Sequence, residues 1–192
     1  MAKKKEVKDT EPISSVSSIG NVKIKVARGN TILKEYKFKN TATNLLFHGI
    51  ALGLVGGYAS GSLDSYLPQY IGIGYVESGL NPTTKDQTDL QAYSGTAIGP
   101  RIKLSSMNVY GDTSNGKYTA PFSVTIPYSS IISANTEGKI NELGLFSTLN
   151  TKSLLARIYF SSDPIVVTSG TSLIVEWDIS IQSDSNDVDK AN

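Results

Sequence analysis

The chain has no cysteine and a single histidine among its 192 residues. Without cysteine there are no structural disulfides, thiolate zinc sites, iron–sulfur clusters or thiol nucleophiles. One imidazole, His48, leaves little histidine-based metal or acid–base chemistry. Charge is scarce too, at 18% of residues against roughly 25% in an average soluble protein. Lys+Arg total 18 and Asp+Glu 17, a net charge of +1, so a dedicated nucleic-acid binder working through a broad basic face is not expected. No apolar run reaches the ~20 residues of a membrane span; the longest, residues 45–58 (LLFHGIALGLVGGY), is broken by glycines and His48. Hydroxyl groups supply the missing polarity, with 25 Ser and 16 Thr. The composition describes one soluble domain, long enough to bury about 70% of its unfolded surface, with no cofactor or metal implied.

Residues 1–20 carry Lys3, Lys4, Lys5 and Lys8 beside Glu6, Asp9 and Glu11, followed by a Ser-rich stretch whose apolar residues are Ile13, Val16 and Ile19. No apolar core of a signal peptide follows the lysines. The segment reads as a flexible N-terminal arm; fully extended it spans up to roughly 65 Å, enough to reach a neighbouring subunit. Residues 183–192 (SDSNDVDKAN) read as a disordered acidic tail. The folded body is therefore residues 21–182.

Within that body the dominant period is two. Val22, Ile24 and Val26 alternate with Lys23 and Lys25. After the Arg28-Gly29-Asn30 turn, Ile32, Lys34, Tyr36 and Phe38 alternate with Leu33, Glu35, Lys37 and Lys39, which predicts a hairpin with lysines on its solvent face. Phe122, Val124, Ile126 and Tyr128 form another set, with Pro127 marking an edge or a strand end. Leu154, Ala156, Ile158 and Phe160 alternate around Arg157. Leu173, Val175, Trp177, Ile179 and Ile181 make the cleanest series, opposite Glu176, Asp178 and Ser180. Shorter strands are expected at 70–75, 101–104 and 165–168. One helix is expected near residues 42–55, capped by Thr41 or Thr43, with Leu45, Leu46, Gly49, Ile50 and Gly53 on one face. The expected fold is mainly β: a two-sheet antiparallel sandwich, jelly-roll-like or Ig-like, with Phe146, Phe160 and Trp177 in its core.

Four places invite a chemical reading. His48 sits among apolar residues of the expected helix, with no Gly-x-Ser-x-Gly elbow to supply a nucleophile, and reads as a packed or boundary histidine. The glycines of YIGIGYVESG fit neither a dinucleotide nor a phosphate loop and read as turn or bulge glycines. Glu176 and Asp178, two apart on one strand face, have the arrangement a glycosidase would use; a wet strand face carries such pairs without any reaction. The acidic loop at 86–89 offers oxygen ligands for calcium but lacks the spacing of an EF-hand. More specific is Glu142 in KINELGLF and Arg157 in LLARIYF, two segments joined by a short loop. Paired as a hairpin they place a carboxylate and a guanidinium within reach, a structural clasp rather than a catalytic group.

In chain order, PQYIGIGYVESGLNPTTKDQTDLQAY (68–93), INELGLF (140–146), LLARIYF (154–160) and SLIVEWDISI (172–181) resemble a broad group of small virion proteins of tailed bacteriophages. The best motif is Ile140, Glu142, Gly144, Leu145 and Phe146 followed by Ala156, Arg157 and Phe160; Tyr75 departs from it, standing where the group usually has a small residue. The resemblance covers about residues 40–182. It implies a non-enzymatic structural role as an auxiliary capsid or head-decoration protein, a head fibre, or a tail or baseplate component. It further implies partners among other virion proteins (capsid, portal or tail), self-association, and a virion location after assembly in the bacterial cytoplasm. In that role the arm residues Lys3, Lys4, Lys5, Ile13, Val16 and Ile19 would contact a neighbour. Two other functions compete: a receptor- or carbohydrate-binding module of a phage fibre using exposed Tyr and Trp, and an envelope glycan hydrolase using Glu176 and Asp178.

Overall fold

A computed structural model of the chain describes residues 17–54, 66–77, 79, 81–93, 101–107, 110–112, 117–134, 138–149, 153–160 and 163–182. The expected acidic tail and the arm residues Lys3, Lys4, Lys5, Ile13 and Val16 lie outside them. The first strand begins earlier than expected: β1 is Ser17–Arg28, so Ile19 is strand backbone opposite Ser180 of β12 (Ser172–Gln182). Gly29, with φ +54°, turns the chain into β2 (Thr31–Ala42) and completes the expected hairpin. Helix α1 (Asn44–Leu54) follows, then β3 (Tyr70–Gly74), a 3-10 turn at Gln91–Tyr93, and β4 (Arg101–Lys103). Three strands come next: β5 (Ser106–Met107), β6 (Tyr110–Asp112) and β7 (Lys117–Pro127). Helix α2 (Tyr128–Ala134) precedes β8 (Lys139–Ile140), β9 (Glu142–Phe146), β10 (Leu154–Tyr159), β11 (Ile165–Val166) and finally β12.

Ten strands form one sheet, in the order β4-β3-β9-β10-β2-β1-β12-β7-β5 with β6 also on β7, while β8 and β11 pair separately. Each pairing in the sheet is antiparallel. The chain itself joins the two ends of this path. Residues 101–103 pair with β3 and residues 106–107 with β7. Between them the Leu104 amide donates to Gln69 O (2.8 Å) and the Ser105 amide to Ser123 O (3.0 Å). The sheet is thus nearly closed into a barrel, where the sequence led us to expect two separate packed sheets. The cause is a single stretch serving both edges, a property of chain path to which alternation is blind.

The barrel interior is filled by the inward residues of the long strands. Val22 faces Trp177 and Trp177 faces Phe122; Ile24 faces Val175 and Val175 faces Val124. All are at most 4% exposed, and Trp177 is fully buried. Burial of each such side chain contributes roughly 1.5–3 kcal/mol before entropy is subtracted. α1 lies close to the expected span, with Leu46 buried and Gly49 so near Tyr66 that an added Cβ would stand 2.6 Å from the Tyr66 Cβ. Thr43 precedes the helix, but its hydroxyl donates to the Leu154 and Leu155 carbonyls (2.6 and 3.1 Å) instead of capping it. α2 was not expected; Tyr128 begins it directly after Pro127, and the fully buried Ile131 anchors it.

Candidate functional site

The outer face of β3, β9 and β10 is not wet. Residues 81–93 cross over it, and Leu90, Phe146 and Leu154 form a second small core beneath them, with Tyr70 at its margin. Phe146 therefore belongs to this outer core, Trp177 to the barrel interior, and Phe160 is half-buried, stacked on Phe38 of β2 at 4.8 Å.

Glu142 and Arg157 meet at the centre of this covered face. Strand pairing sets Arg157 opposite Gly144 and Tyr159 opposite Glu142, so both charged side chains project outward under the crossing segment. Arg157 donates Nε–H (2.9 Å) and Nη2–H (2.7 Å) to the one oxygen Oε2 of Glu142, converging rather than forming the two parallel bonds of a fork. The Gln91 amide also donates to Oε2 (3.1 Å), and the Ala92 amide to Oε1 (2.6 Å). Arg157 Nη1 reaches the Asn81 carbonyl (3.0 Å) and Thr83 Oγ1 (3.3 Å). Both side chains have zero exposure. Four donors on the carboxylate and no accessible surface leave no place for a substrate. The pair instead ties both ends of the crossing segment to the barrel.

A second arginine performs the same task further along. Arg101 of β4 sets its guanidinium carbon over the Phe146 ring, 3.7 Å from its centroid. It donates to the Thr148 carbonyl (2.8 Å), Ser153 Oγ (2.9 Å) and Asp89 Oδ1 (3.2 Å). Burial pulls its pKa below the ordinary value, against the raising effect of Asp89. Arg101 was not singled out in the sequence, where its only signal was an arginine opening a short apolar strand, and Asp89 was considered there only as an oxygen ligand of the 86–89 loop.

Of the glycines of YIGIGYVESG, Gly72 and Gly74 are strand glycines, neither turn nor bulge, whereas Gly79 has a φ of +83°, in keeping with the turn reading. Gly72 and Gly74 pair in register with Gly144 and Glu142. A Cβ on Gly72 would stand 2.6 Å from the Phe146 ring, and one on Gly74 2.6 Å from Glu142 Oε1. They provide the room into which Phe146 and Glu142 fold.

The remaining candidates separate. Asp86 accepts from Asn44 Nδ2 (2.6 Å), whereas Asp89 turns inward to Arg101, so the carboxylates of the 86–89 loop serve different partners. Among the described residues no group of three His, Cys, Asp or Glu could hold a metal ion. His48 is exposed, its ring 5.1 Å from that of Tyr66, which excludes the packed setting and leaves the boundary one. Glu176 and Asp178 do share the outer face of β12, beside a depression of about 520 Å³ that Lys23, Lys37, Pro121 and Ser123 also line. Lys25 binds Glu176 directly and Lys23 lies at 3.4 Å. The Lys25 hydrogen bond, aided by both lysine charges and opposed by desolvation, lowers the Glu176 pKa below its ordinary 4.5. A general acid needs the opposite shift.

No protein-family model, curated protein or solved structure matches this chain.

Proposed function

We propose that the chain is a non-enzymatic structural protein of a tailed-bacteriophage virion. It would be an auxiliary capsid, head-fibre or tail component that binds other virion proteins and itself, assembled in the host cytoplasm, with no specific nucleic-acid site. One observation carries the reading. The two segments that carry the best motif of the resemblance, INELGLF and LLARIYF, are adjacent strands, and the single charged residue of each is bound to the other beneath the crossing segment. The most specific motif of the sequence is thereby explained as architecture. On this reading the halves β7-β12-β1-β2 and β10-β9-β3 act as the two layers of a flattened, jelly-roll-like sandwich, rigid enough to present loops to neighbours. The carbohydrate-binding alternative loses Trp177, which is fully buried, and is left with exposed tyrosines such as Tyr118. The hydrolase alternative loses its general acid at Glu176.

The test is quantitative mass spectrometry of virions purified from infected cells that produce the chain. The expected result is a fixed copy number per particle, together with no turnover of host-envelope glycans by the isolated protein. Absence from particles, or hydrolysis that disappears in Glu176→Gln, would overturn the assignment.

A further inference from the structure

No further inference is drawn: the strongest candidate, the depression of about 520 Å³ beside Glu176 and Asp178 on the outer face of β12, is walled by charges already matched within the chain, Lys23 with Glu176 and Lys37 with Glu35, and nothing in the structure shows what would occupy it.

Discussion

The two halves of the barrel use charge in opposite ways. In β1, β2, β7 and β12 one face is buried and the other wet, and the charged residues of the wet face form exposed pairs such as Lys23–Glu176, whose side chains are 42% and 37% exposed. In β3, β9 and β10 both faces are covered, every residue of β9 is buried, and the charges are enclosed in the Glu142–Arg157 pair. An ion pair in water exchanges one set of favourable contacts for another and contributes little. An enclosed pair must satisfy nearly every donor and acceptor locally, and losing one member leaves the other stranded. The contrast predicts that identical chemical changes in the two halves have very different costs.

The largest effect belongs to the enclosed pair. Arg157→Leu should lower the unfolding free energy by ~3–5 kcal/mol, the scale of breaking a buried ion pair. Adding Glu142→Leu should cost less than the sum of the two single changes, because neither charge is then left alone. Chemical denaturation of the three variants measures this, and strictly additive costs would show that the residues do not act as a unit.

A smaller effect tests the room beneath the crossing segment. Gly74→Ala places a methyl 2.6 Å from Glu142 Oε1 and 2.7 Å from its Cγ, so Glu142 must shift and its grip on the Gln91 and Ala92 amides loosens. We expect a loss of ~1–3 kcal/mol, as for other overpacked positions, with faster hydrogen exchange at those two amides. Unchanged exchange there would mean that the clasp tolerates the methyl.

The smallest effect is on the wet face. Glu176→Gln should cost less than ~1 kcal/mol, and the cost should shrink as salt is added. Its sign with pH follows from the lowered carboxylate pKa. The stabilisation is fully present above the ordinary value of 4.5 and is lost as pH falls through the lower native value. A cost that rises on acidification, or equals that of Arg157→Leu, would erase the distinction between the halves.

The sequence by itself determined where one face of a strand is wet. The alternation of β1, β2, β7 and β12 was readable because solvent selects lysine, glutamate or serine at every second position, and the burial of Trp177 followed from its phase in that alternation. The hairpin joining β9 to β10, and the meeting of Glu142 with Arg157, were readable because a short loop joins the two strands. Only the tertiary structure decided that the strands would form one nearly closed sheet, through the shared stretch at 104–105. It also decided that a loop would cover the outer face of β9, where alternation disappears because both faces are dry. Residues held across that cover are far apart in the chain, 51 positions for Glu142 and Gln91 and 76 for Arg157 and Asn81. Local periodicity reports the environment of a side chain, and says nothing of which distant segment supplies it.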